Sequence, residues 1–375
     1  MKALSSVLFF ATLCLALEPG CLREIDCASA DPGCNASGAL LYVFAACERR
    51  FSSGNVQGCP LDLTAEVTTF AGSGAAALTD GVGVAAAFNE SNGSTSDGTS
   101  IFIADAQNGA IRKIDIATAT VSTVISGLAT PVRDVVSDGT YLYVAEAGGN
   151  RVLRVTLADS SQLVLAGSGA PGDVDGFGTS AQLRFPHAIT VANGFLYVAQ
   201  NNGTIRRINL ATTEVITYGG TAGTGAHLDG PVASALFSQP NGLVVSGNAL
   251  YVAEAGNNHT VRKIDLATNF VTTVAGTPGV AGDLDGFGTA ALMNDPYAIT
   301  TDGPNLYVTE FGGHIIRKIE LATGRVIRLA GQPGVTGSSD GVFEQALFNA
   351  PRGITTDGVS LYISDSTNNT IRRMR

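Results

Sequence analysis

An aromatic residue inside a short apolar run recurs at Phe102, Tyr143, Tyr197, Tyr251, Tyr307 and Tyr362, with spacings of 41, 54, 54, 56 and 55 residues. Behind each run comes a second one carrying basic residues: Ile111–Ile114, Val152–Val155, Ile205–Ile208, Val261–Ile264, Ile316–Ile319 and Ile371–Met374. A threonine- and valine-rich stretch follows, as in Val271–Ala275. Three short strands of this kind cannot bury both of their faces alone and need copies of themselves on either side. A long all-β period with several strands per unit favours a propeller over a solenoid, whose coils repeat over fewer residues.

A fourth strand precedes each hairpin, as in Ala298–Thr301 and Gly353–Thr356, entered through Pro296 and Pro351. Asp138-Gly139, Asn193-Gly194, Asp302-Gly303 and Asp357-Gly358 supply the tight turn into the next strand. The sixth unit stops at Arg375, before its outer strand, and the missing strand stands at the front as Glu66–Gly72. The expected fold is therefore an all-β, six-bladed propeller of four-stranded antiparallel blades over residues 64–375, closed by residues 66–72, with no open sheet edge. Two blades depart from the pattern. The first has a polar inner strand and Ser91 in place of proline. The second lacks the long connecting loop and carries Leu153 where the others have arginine.

Forty-six glycines and no tryptophan suit short strands and tight turns. A net charge of −10 argues against nucleic acid or an anionic membrane surface as partner, since either needs a basic face. Lys2 followed by the uncharged stretch Ala3–Leu17 reads as a signal peptide over residues 1–20. Gly20-Cys21 resembles a lipoprotein cleavage site, although Glu18 and Pro19 fit it badly, so Cys21 is a candidate lipid anchor with ordinary cleavage as the alternative. Residues 21–63 form a cysteine-containing segment or linker. Cys27, Cys34, Cys47 and Cys59 are an even set suited to two disulfides in an oxidising compartment, and their spacing, without a C-x-x-C pair, disfavours zinc.

The run LYVAEAGNNHTVRKIDLAT at Leu250–Thr268, with its TTVAG strand and its six copies, resembles the NHL-repeat family of β-propellers. The resemblance covers almost everything after the cysteine segment. It implies the fold more firmly than an activity, because that family includes protein-, RNA- and carbohydrate-binding modules, receptor ectodomains and a few lyases.

In such a propeller the loop entering a blade and the turn between its second and third strands share one face. Aligned on the repeat, Asn92, Arg133, His187, Asn241, Tyr297 and Arg352 start the innermost strands and are the candidate ligand-binding residues at the channel mouth. The ring is polar and varied, as an asymmetric ligand requires, and holds no carboxylate; its residues facing only channel water is the simpler alternative. The four histidines, His187, His227, His259 and His314, map to the same face, and only His187 is placed for a channel-centred site.

The loops carrying Asp80, Asp175, Asp229, Asp285 and Asp340, each followed by glycine, lack the later acidic ligands of a calcium loop. They are expected to set a turn, with an apolar residue behind packing the loop down. Asp105, Glu146, Glu254, Glu310 and Asp365, with Gln200 in the sixth place, end the second strand and are expected to pair with the following basic residues as architecture.

No Gly-x-Ser-x-Gly elbow is present, the propeller contains no cysteine, and no cofactor or metal is implied. The expectation is an exported monomer, extracytoplasmic and either secreted or lipid-anchored in the cell envelope. It would act as a binding or scaffold module, recognising a protein, peptide or carbohydrate on its loop-rich face. Membrane contact is expected only through the lipid. The alternative is a lyase or lactone hydrolase centred in the channel.

Overall fold

The computed structural model describes Pro60, Leu61, Leu63 and residues 66–375. The expected signal peptide, Cys21 and the four candidate disulfide cysteines lie outside the described residues. The propeller belongs to the unit Arg49–Arg375.

Six antiparallel sheets form the blades. Their innermost strands are Ser91–Ser96, Val132–Ser137, Pro186–Ala192, Pro240–Ser246, Pro296–Thr301 and Pro351–Thr356. In the fourth blade the chain continues outward through Ala249–Glu254, Thr260–Asp265 and Phe270–Ala275, and the other blades repeat this meander. The second strands are buried on both faces because each blade lies between two others. In the first blade Ile101 and Ile103 pack toward the sixth, while Phe102 and Ala104 pack toward the second. This two-sided burial is why these strands read as continuous apolar runs.

The ring closes as expected. Glu66–Ala71 forms the outer strand of the sixth blade, with Val67 opposite Met374 and Thr68 opposite Arg373. Glu66 and Arg375 exchange backbone hydrogen bonds at 3.2 and 3.1 Å. Five blades carry one strand more than the repeat predicts. The dipeptides Gly81–Val82, Gly176–Phe177, Gly230–Pro231, Gly286–Phe287 and Gly341–Val342 pair outside the outer strand. The second blade, without the long loop, keeps four strands.

The third-strand arginine holds these loops in place. In the sixth blade Arg372 Nη1 donates to Leu347 O and Asp365 Oδ2, both at 2.9 Å, and Nη2 donates to Ser339 O at 2.8 Å and Asp340 Oδ1 at 2.7 Å. Its guanidinium also stacks on Phe348, 5.3 Å from the ring centroid. Arg112, Arg262 and Arg317 likewise join the strand-end acid to the loop aspartate. Arg206 binds Asp175 in the blade that has Gln200. The loop aspartates therefore do more than set a turn: each pairs with a buried arginine, as its second carboxylate in four blades and as its only one in the blade of Gln200.

The strand-end residue has another task, the same in every blade. It accepts the backbone N–H of the segment approaching the inner strand: Asn89 to Asp105, Ala129 to Glu146, Arg184 to Gln200, Ser238 to Glu254, Asn294 to Glu310 and Asn349 to Asp365, at 2.6–3.0 Å. Glutamine serves here as well as a carboxylate, which explains Gln200. In the second blade, loop and arginine are lost together. Leu153 replaces the guanidinium that would have no loop to hold, and Arg151, two residues earlier, neutralises Glu146.

The packing of the long loops splits in two. The residue behind each loop is buried, as predicted, at Phe88, Leu183, Phe237, Met293 and Phe348. The apolar residue directly after Asp-Gly is not: Phe177 is 59% exposed and Phe287 63%. Its backbone pairs with the outer strand, so alternation turns its side chain outward.

Candidate functional site

The inner strands bring the six candidate residues to one level of the channel, and four of them plug it. Asn92, His187, Asn241 and Tyr297 are buried, while Arg133 and Arg352 are half-buried. His187 Nδ1 lies 3.3 Å from Asn241 O, a carbonyl that can only accept, so Nδ1 carries the proton. Nε2 is then free to accept, and the Tyr297 hydroxyl donates to it at 3.1 Å. Asn92 Nδ2 donates to the Tyr297 oxygen at 3.5 Å. Burial, reinforced by the charges of Arg133 and Arg352, pushes the His187 imidazole down to about 3, so it is neutral at physiological pH. The ring therefore spans the channel as a hydrogen-bonded septum; the buried four are not simply side chains facing water.

The two arginines differ. Arg352 pairs with Glu90 at 3.3 Å and lies over the rings of Tyr297 and Phe311. Arg133 lies over Phe185, 5.5 Å from its centroid, and among the described residues no hydrogen bond or ion pair engages it. Of the ring's two cations, Arg133 is thus the one without a paired acceptor among the described residues.

One level along the same strands the ring reads Gly93, Asp134, Ala188, Gly242, Ala298 and Gly353. The small residues are forced by crowding at the axis: a Cβ on Gly353 would stand 2.0 Å from Asn92 O, and one on Gly242 would stand 2.5 Å from Tyr297 O. Asp134 breaks that rule and places a carboxylate one level beyond the ring, which itself holds none. The alignment showed a polar ring one residue earlier. The signal that finds Asp134 is its departure from glycine or alanine at the following position. Beyond this level the channel widens into a cavity of ≈ 370 Å³ that opens opposite the long loops, past Ser96, Asp97, Thr99 and Gly139.

The remaining histidines belong to the architecture. His259 and His314 occupy the left-handed position of the turn between second and third strands, φ +53° and +58°. Each accepts a backbone N–H from the next blade, from Asp295 at 3.2 Å and from Ala350 at 3.0 Å. Asn150 and Asn369 do the same in their blades, toward Phe185 and Glu90. His227 reaches Thr273 Oγ1 at 3.1 Å. Among the described residues no group of three His, Cys, Asp or Glu is placed to hold a metal ion.

The NHL repeat family model matches residues 237–264. The human NHL repeat-containing protein 2 is 25% identical over 312 residues, covering 79% of this chain and 40% of that protein. The Arabidopsis thaliana protein SUPPRESSOR OF QUENCHING 1, chloroplastic, is 29% identical over 206 residues, 52% of this chain and 19% of that one. This chain thus spans less than half the length of these relatives.

Among solved structures, a Bacteroides thetaiotaomicron protein of unknown function superposes with a TM-score of 0.67 at 21% identity, covering 84% of this chain and 76% of that one. A B. thetaiotaomicron structure described as an auxiliary nutrient binding protein gives 0.63 at 21%, with 84% and 77% covered. A Xanthomonas campestris gluconolactonase gives 0.56 at 12%, with 86% and 96% covered. At these identities the structural likeness speaks for the fold. The repeat, the closure and the family match agree on a six-bladed β-propeller of the NHL-repeat kind, with the family model itself matching one repeat.

Proposed function

We propose that the chain is an extracytoplasmic binding module. It takes a protein, peptide or glycan ligand on the loop-rich face, with an anionic group of that ligand, a carboxylate foremost, seated on Arg133. The observation that carries this reading is the Arg133 guanidinium, held over Phe185 at a plugged mouth where Arg352 already has Glu90. A bidentate carboxylate matches its planar fork and supplies the acceptors it lacks. The likeness to an auxiliary nutrient binding protein supports a binding propeller.

Screening the full chain on acidic and neutral glycans and on peptides with free or amidated C-termini tests this. Arg133→Ala should weaken binding of an identified acidic ligand about tenfold or more, in line with the loss of a charge-assisted pair. Unchanged affinity rejects the site.

A second reading, a lyase or lactone hydrolase in the channel, is favoured by one observation: the Tyr297 hydroxyl bonded to a neutral His187 with a free-standing guanidinium beside it. Turnover of a lactone panel that is lost in Tyr297→Phe would establish it. Absence of turnover leaves the module.

A further inference from the structure

Asp134 differs from the acids that end the second strands. Each of those acids has an arginine: Asp105, Glu254, Glu310 and Asp365 have one within 3.0 Å, and Glu146 has Arg151. Asp134 has two backbone donors instead, Val135 N–H to Oδ1 and Ile189 N–H to Oδ2, both at 2.9 Å. Arg133, its neighbour in sequence, turns away toward Phe185. Among the described residues no cation reaches the carboxylate. Two more groups on the wall of the same cavity lack partners: the buried Asn241 Oδ1 has no donor, and the Ser94 hydroxyl has neither donor nor acceptor. The cavity thus combines an unpaired carboxylate with unpartnered polar groups in a space of ≈ 370 Å³, the volume of a small metabolite, with the Arg133 guanidinium at its ring end.

We propose that this cavity binds a small ligand carrying a protonated amine, whose ammonium supplies the cation that Asp134 lacks and whose remaining donors reach Asn241. The site opens on the face opposite the long loops and does not depend on the reading of Arg133.

Burial pushes the Asp134 carboxyl up to about 7, against the pull of its two backbone donors. By solvent exposure the residue is half-buried, and it stands on the wall of the cavity. The charged or titratable groups that face this region are Arg133, His187, Tyr297 and Arg352 in the ring above and Asp97 at the open end. Of these His187 titrates far lower, at about 3. An ammonium draws the proton off Asp134, so its affinity rises with pH through neutrality.

Calorimetric titration of the full chain with linear α,ω-diamines of two to six carbons, and with the diols of the same length, tests this. At least one diamine should bind, about tenfold or more tighter than its diol. Its affinity should fall about tenfold from pH 8 to pH 6, tracking the ionised fraction of a group titrating near 7. Asp134→Asn should remove the amine preference and the pH dependence together. Absence of binding by every diamine, equal binding of a diol, or a pH-independent affinity overturns the proposal. The wild-type comparison of amine with diol decides it even if the variant does not fold.

Discussion

The imidazole of His314 accepts the backbone N–H of Ala350 at 3.0 Å, tying a turn of the fifth blade to the chain entering the sixth. His314→Ala leaves that N–H without a partner and should cost about 1–3 kcal/mol. His314→Asn should lose about 1 kcal/mol or less, since asparagine tolerates the left-handed backbone and performs the same task at Asn150 and Asn369. Chemical denaturation midpoints of the two variants distinguish a staple from an incidental contact.

The buried arginines predict a second, larger effect. Arg262→Leu strands Glu254 and Asp229 and releases the carbonyls of Leu228 and Leu236, and should cost about 3–5 kcal/mol. Adding Glu254→Gln should recover part of that loss, because the amide oxygen still accepts the Ser238 N–H while the unpaired charge is gone. A double-mutant cycle read by thermal unfolding measures the coupling.

His187 gives the pH dependence a definite sign. Its folded pKa of about 3 lies below the unfolded 6.5, so below pH 6.5 the unfolded chain takes up a proton that the folded one refuses. The stability it contributes is complete above 6.5 and is lost as pH falls toward 3, by about 1.4 kcal/mol per pH unit within that window. Comparing wild type with His187→Asn between pH 6.5 and 4.5 isolates this slope, since the other buried groups are common to both. Equal slopes would mean that the septum histidine is protonated or solvated.

Ring closure rests on a strand far from its partner in sequence. Deleting residues 1–72 uncovers the edge of Thr370–Met374, which now pairs with Val67–Ala71. The truncated chain should lose its cooperative melt or associate through that edge. Light scattering with circular dichroism detects either outcome, and an unaltered monomeric melt would contradict the closure.

Much of this fold is legible in the sequence because each blade repeats the same solution. The acid ending the second strand and the arginine of the third recur at fixed offsets, so Glu310 with Arg317 reads as architecture before any coordinates. The double duty of Asp285, which also holds Arg317, is not legible, because it depends on how far a long loop folds back over its blade. The extra strand at Gly286–Phe287 is hidden for the same reason: two residues cannot carry a pattern. The septum is partly legible, since alignment gathers Asn92, His187 and Tyr297 at one position. What alignment cannot supply is their separation across the axis, which decides whether they face water or each other. Asp134 stands one position after the ring, and only the crowding at Gly93 and Gly353 gives its presence meaning.

Each of the six apolar clusters straddles a boundary between two blades. No blade owns a core, so none can be a folding unit by itself. An open array of repeats can fray inward from its last member, whose outer neighbour is solvent. A closed ring has no last member: peeling away any one blade tears two shared cores at once. Motion at the septum must therefore be slight and local, unless the whole circle gives way together.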